Sequence, residues 1–319
     1  MNYKKKYRIF INSTGRTGTQ FFAKNMDAMI DNSVSFHEPG TPWPSKPKKL
    51  LRQIKDYGLY HLTLGQNKNT HSFYKLSRDY VTGDISRDEA KENIINISNK
   101  TIKFLNKQIY IESSGHIYGL LDLIDEIYDD TRFVFVVRDP RTWINSALKK
   151  KEYSLYGFIE LFFKKISLQP SCFKNDPYKH EWNCMSKFEK YCWFYNKMNE
   201  IAISSMEGKS NFKIFKYEDI FLSEQKSENF RKLLDFATDF ENSDIKVKLN
   251  PELLNKKVDS RSYKKKKLDW ENWNKEKALL LQKHCGKWMD TFGYGKEDHW
   301  KDLISQSKIY PKNKLELEV

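Results

Sequence analysis

Ile9-Phe10-Ile11-Asn12-Ser13-Thr14-Gly15-Arg16-Thr17-Gly18-Thr19-Gln20-Phe21-Phe22 decides how this chain is read. A short apolar strand enters a Gly/Thr loop, and the loop enters a helix. Phe22, Met26 and Met29 of that helix keep the i, i+4, i+7 spacing of a buried stripe. Such an order aims backbone N–H groups of the loop at one point and favours a bound phosphate or sulfate. The loop departs from the usual Mg-ATP pattern. With Gly18 as its last glycine, Thr19 stands where the nucleotide-binding lysine belongs and Gln20 where the magnesium-binding hydroxyl belongs. The cation lies upstream, at Arg16.

Outward from this stretch, strand-like runs alternate with helical patterns, which predicts an α/β protein with a mainly parallel sheet flanked by helices. The expected strands are Tyr7–Ile11, Val34–His37, Gln108–Glu112, Arg132–Val137 and Phe212–Tyr217. Phe133 to Val137 is unbroken and apolar, the signature of a strand covered on both faces. A closing helix is expected over Lys275–Phe292, with Leu281, Cys285, Trp288 and Met289 on one side and Gly293 ending it. Residues 41–107, 150–183 and 241–268 break the rhythm and read as insertions, so the expectation is one domain over 1–319.

The 319 residues are 39% hydrophobic and 15% aromatic, enough for a globular core and against disorder. A net charge of +14 suits an acidic ligand and equally suits a well-solvated surface. Cys172, Cys184, Cys192 and Cys285 show neither a C-x-x-C pair nor zinc-ligand spacing with the histidines, so free thiols and no metal are expected. No apolar run reaches signal-peptide length near the N-terminus, and none approaches the ~20 residues that span a bilayer. A soluble, cytoplasmic protein is expected, with no nucleic-acid motif.

Ligands of open α/β sheets bind beyond the carboxyl ends of the strands. The first strand end offers Arg16, Thr17, Gly18, Thr19 and Gln20; the second offers His37 and Glu38. The third carries Glu112, Ser113, Ser114 and His116, and the fourth carries Arg138-Asp139-Pro140-Arg141 with Ser146 in the following helix. Cations and hydroxyls gather there with two acids and two histidines.

Gly15-Arg16-Thr17-Gly18-Thr19 resembles the 5′-phosphosulfate loop of sulfotransferases that use 3′-phosphoadenosine 5′-phosphosulfate (PAPS). Val136-Val137-Arg138-Asp139-Pro140-Arg141 with Ser146 resembles that family's 3′-phosphate motif. Trp193 with Asn196, Phe215-Lys216-Tyr217-Glu218-Asp219-Ile220, Cys285-Gly286 and Gly293-Tyr294 are similar to its later elements. The resemblance runs from about residue 7 to residue 295, insertions excepted. It implies a P-loop NTPase-like sulfotransferase architecture, PAPS as co-substrate with no metal required, and transfer of a sulfuryl group to a hydroxyl or amine of a saccharide or small molecule. It also implies that Arg16, Thr17, Gly18, Thr19, Gln20 and Phe21 hold the 5′ side, and that Arg138, Ser146, Tyr217 and Arg261 hold the 3′ side.

Glu38, about twenty residues past the loop, matches the position of a glutamate base in similar enzymes, with His37 as runner-up. Strand alternation points the two to opposite faces unless the strand has already ended, so one of them is expected in the cleft. Two departures stand out: Ser113 and Gly115 replace a Lys-Pro pattern near the third strand's end, and the 261–267 loop lacks a glycine seen in some relatives. Trp43, Tyr57, Tyr60, Phe162 and Phe163 are candidates to line the acceptor site or to form ordinary insertion core. A nucleotide kinase and a non-catalytic polyanion binder are the competing readings.

Overall fold

The computed structural model describes residues 6–42, 46–102, 106–148, 168–241, 243–255 and 270–305. Five strands form one sheet: β1 (Tyr7–Asn12), β2 (Ser33–His37), β3 (Ile109–Ser114), β4 (Thr131–Val137) and β5 (Phe212–Lys216). Their order is β2-β3-β1-β4-β5, and every pairing is parallel. All five expected strands are present. Their bounds shift by a residue or two, and Tyr217 opens a helix instead of closing β5.

Both sheet faces are buried, and alternation along the strands divides the core accordingly. Phe10, Tyr110, Phe133, Phe135 and Val137 face one cluster with Trp143, Trp193 and Trp288. Ile9, Ile11, Ile109, Ile111, Val134 and Val136 face the other, with Phe21, Phe22 and Phe230. The helix after β1 is α1 (Thr19–Asn25); Phe22, Met26 and Met29 are all fully buried, although a 3-10 turn over Met26–Ala28 replaces the last helical turn.

The 41–107 segment supplies four helices, α2 (Pro47–Tyr57), α3 (Leu59–Leu62), α4 (Phe73–Val81) and α5 (Arg87–Ile102). Leu76, Ala90, Ile94 and Ile97 of α4 and α5 enter the first cluster and cover the β2–β3 side of the sheet. The helix α6 (Leu121–Ile127) follows β3, and α7 (Pro140–Leu148) follows β4. The Lys275–Phe292 helix has the expected bounds, with Gly293 at φ +70° closing it in a left-handed conformation that glycine tolerates. No described helix is long and apolar enough to cross a membrane.

One feature of this topology places a site. β1 and β4 are neighbours, yet α1 packs its Phe21 and Phe22 on one face of the sheet while α7 packs Trp143 and Ile144 on the other. A crevice opens at the carboxyl end where adjacent strands send their chains to opposite faces.

Candidate functional site

The β1 loop is wound by residues in left-handed conformation, Gly15 (φ +77°), Arg16 (φ +60°) and Gly18 (φ +85°). At Gly18 a Cβ would lie 2.9 Å from the Phe221 ring, so only glycine serves there. The hydroxyl of Ser13 accepts from the Gly15 N–H (3.0 Å) and from the Thr17 hydroxyl (2.6 Å), and the Trp143 indole donates to the Gly15 carbonyl (2.8 Å). Thr17 is fully buried and its hydroxyl braces the loop. Among the described residues, the consecutive N–H groups from Arg16 to Gln20 meet no acceptor. That is the nest an anion requires.

Phe21, expected on the 5′ side, turns its ring into the core. Its ring packs edge-on against Phe22, Phe221 and Phe230, and its N–H is already donated to the Gly18 carbonyl at 2.8 Å. It is core, because the helix that follows the loop must bury one stripe.

At the end of β4, Arg138 donates from Nη1 to the Arg16 carbonyl (2.7 Å) and from Nε to the Thr142 hydroxyl (3.0 Å), and it lies 4.5 Å above the Tyr217 ring. The Tyr195 hydroxyl donates to the Arg138 carbonyl at 2.6 Å. Glu218 accepts from the Asp139 N–H (3.1 Å) and the Tyr294 hydroxyl (2.8 Å), which ties the Tyr-Glu-Asp segment to the β4 turn. Ser146 stands beside Arg16 instead of Arg138, accepting from its Nε at 3.1 Å. The two guanidinium groups are therefore neighbours in one crevice, and among the described residues neither meets a carboxylate. Arg261 lies outside the described residues.

At the end of β2 the alternation expected of His37 and Glu38 is broken. Glu38 adopts φ +45°, so the chain turns and both side chains converge on the site. His37 Nδ1 is 3.5 Å from Glu38 Oε2, and its Nε2 is 3.3 Å from the Thr19 hydroxyl. Glu38 Oε1 lies 3.5 Å from the Gly115 N–H and 3.6 Å from His116 Nε2. Burial pushes the His37 imidazole below its usual pKa against the opposing pull of Glu38. Its ring is neutral at pH 7. Gln20 sits half-buried in the first turn of α1.

Behind Glu38 lies a cavity of about 10 Å³, enclosed by the ends of β2 and β3 and by Gln66, His71, Ser72 and Phe73 of the inserted segment. That volume holds roughly one water. Glu112 lines it and is 1% exposed. One of its oxygens accepts from the Tyr110 hydroxyl at 2.6 Å; the other has no partner. Desolvation raises its carboxyl pKa from 4.5 to about 7, against the pull of the Tyr110 hydrogen bond. The folded state therefore keeps a proton that the unfolded chain releases above pH 4.5, and stability falls as pH climbs from there through about 7. Glu112→Gln is expected to flatten that decline, on the order of 3 kcal/mol in full, in urea melts at pH 4.5 and pH 8.

Of the aromatic residues expected around an acceptor, Tyr57 stacks on His61 at 5.2 Å and Tyr60 is exposed, while Trp43, Phe162 and Phe163 fall outside the described residues. Thr142, Trp143 and Tyr195 hold the site and escape a reading by strand ends. The Arg138–Thr142 pair has a visible signal, the i, i+4 spacing across the start of a helix. Tyr195 has none, since its partner is 57 residues away.

No protein-family model matches the chain, and no curated protein does. Among solved structures the chain is similar to sulfotransferase STF9 from Mycobacterium avium, over 91% of this chain and 77% of that one, with 13% identity and a TM-score of 0.52. It is also similar to the sulfotransferase domain of the Synechococcus PCC 7002 olefin synthase (92% and 97% covered, 15% identity, TM-score 0.43). A sulfotransferase domain from the curacin biosynthetic pathway matches over 78% and 77%, with 14% identity and a TM-score of 0.40. At these identities the likeness concerns the fold. The parallel five-stranded sheet with its flanking helices is a sulfotransferase fold.

Proposed function

We propose that this chain transfers a sulfuryl group from PAPS to an acceptor hydroxyl, leaving adenosine 3′,5′-bisphosphate. The observation that carries this reading is the pair Arg16 and Arg138, which meet no carboxylate among the described residues, with the Arg138 guanidinium donating to the Arg16 carbonyl at 2.7 Å at the switch point of the sheet. A nucleotide charged at both its 3′ and 5′ positions needs two adjacent cationic subsites, and a simple Mg-ATP loop has no use for the second. The unsatisfied N–H groups of residues 16–20 fit the 5′ side.

PAPS, when bound, supplies an activated sulfuryl group on a phosphate leaving group. The chain's residues then have separate tasks. Arg16 and the loop amides balance the charge that develops on the leaving phosphate, acting in a preorganised site. Arg138, held flat by Thr142 and the Tyr217 ring, meets the 3′-phosphate with charge-assisted hydrogen bonds. Ser146 has its hydroxyl on Arg16 and steadies that side chain between the two subsites. Glu38 takes the acceptor's proton as the new S–O bond forms and the old one to phosphate breaks. His37 and His116 orient its two oxygens from 3.5 and 3.6 Å.

Calorimetry tests the cofactor side. Adenosine 3′,5′-bisphosphate is expected to bind in preference to Mg-ATP, and Arg138→Ala to weaken it by about 10- to 100-fold, the worth of a hydrogen bond to a charged group. Preference for Mg-ATP, or an affinity indifferent to Arg138, would overturn the reading.

A further inference from the structure

The charge of the crevice is divided. Arg16 and Arg138 stand on the side assigned to the donor nucleotide. Among the described residues, the cavity behind Glu38 is lined by no Lys or Arg; its ionisable groups are Glu38, Glu112, His71 and His116. The Lys49 ammonium acts on Glu38 from outside that lining.

Glu112 adds a specific demand. Its unpartnered oxygen is buried, and an unsatisfied buried polar atom is destabilising unless a ligand or water meets it. The cavity it lines admits one small polar group, and Glu38 lies in the same wall. Gln66, His71, Ser72 and Phe73, from the segment between β2 and β3, close the other side.

Resting on the sulfuryl-transfer reading, we propose that Glu112 is a specificity-determining residue that receives a second hydroxyl of the acceptor while Glu38 receives the reacting one, so that the acceptor is a polyol of the saccharide kind. A hydroxyl suits Glu112 in either protonation state, because it donates to a carboxylate and accepts from a carboxyl. An ammonium suits only the ionised form, and burial opposes that form.

The test uses transfer of labelled sulfuryl from PAPS to two probes: methyl glucoside, and cyclohexanol as a ring with one hydroxyl. The expected result is a kcat/KM for methyl glucoside about 10- to 100-fold above that for cyclohexanol, the worth of one well-placed hydrogen bond to a charged group. Glu112→Leu, made together with Tyr110→Phe so that no buried donor is orphaned, is expected to erase the preference over cyclohexanol and leave bisphosphate affinity unchanged. Equal turnover of cyclohexanol, or no transfer to methyl glucoside, would overturn the inference; the wild-type comparison stands even if the double variant fails to fold. Loss of bisphosphate binding by the wild-type protein would sink the sulfuryl-transfer reading itself, a separate outcome.

Discussion

Glu38→Gln is expected to lower the rate of sulfuryl transfer by roughly 10²–10⁴, the range for removing a positioned general base, with adenosine 3′,5′-bisphosphate binding unaltered. The substitution keeps the side chain's length and its oxygen toward the Gly115 N–H, so geometry survives while proton acceptance is lost. The loss belongs in kcat, since the base acts as the hydroxyl attacks. His37→Ala is expected to cost less, because its imidazole touches Glu38 and Thr19 and so positions the base from behind. If His37 takes the proton, the order of the two losses reverses. Single-turnover transfer at pH 7 with each variant separates the cases.

Arg141→Ala carries the largest expected change in stability. Arg141 is 1% exposed, and its guanidinium grips Asp139 (2.6 Å) and Glu297 (2.8 and 2.9 Å). The Trp270 ring lies 4.0 Å from its centre and Trp300 5.1 Å. Removing one partner of a buried pair leaves the other charge stranded, which typically costs about 3–5 kcal/mol. Asp139, itself 6% exposed, would be the stranded group. Because Asp139 directly follows Arg138, the β4 turn loosens and nucleotide affinity falls with stability. Arg141→Lys keeps the charge and loses the planar fork, so it is expected to fall between wild type and Ala. Urea unfolding checks both, and a loss below about 1 kcal/mol for Ala would show that the pair contributes little beyond its desolvation cost.

Much of the fold was legible because its signals are local. The run Phe133–Val137 announces a strand buried on two faces, and the stripe Phe22, Met26, Met29 announces a helix on that sheet; all are buried as their spacing requires. The loop glycines and the position of Arg16 were equally plain. Roles that depend on who meets whom across the chain were not. Nothing local to Ser146, which the resemblance places on the 3′-phosphate with Arg138, announces that its hydroxyl meets Arg16, because α7 carries it back over the β1 loop. Phe21, next to a row of loop residues, belongs to the core. His37 and Glu38 share the site only because Glu38 turns left-handed, which no spacing rule announces for a non-glycine residue.

By itself, the order of residues determined a parallel α/β sheet with a glycine-wound loop at its first turn, since apolar periodicity and glycine placement act over a few neighbouring positions. Only the tertiary structure decided which side chains confront each other: two arginines in one crevice, and a buried Glu112 with one empty oxygen beside Glu38. The physical reason is that burial and charge pairing are set by strand register and helix packing between segments as much as 156 residues apart, as Arg141 and Glu297 are.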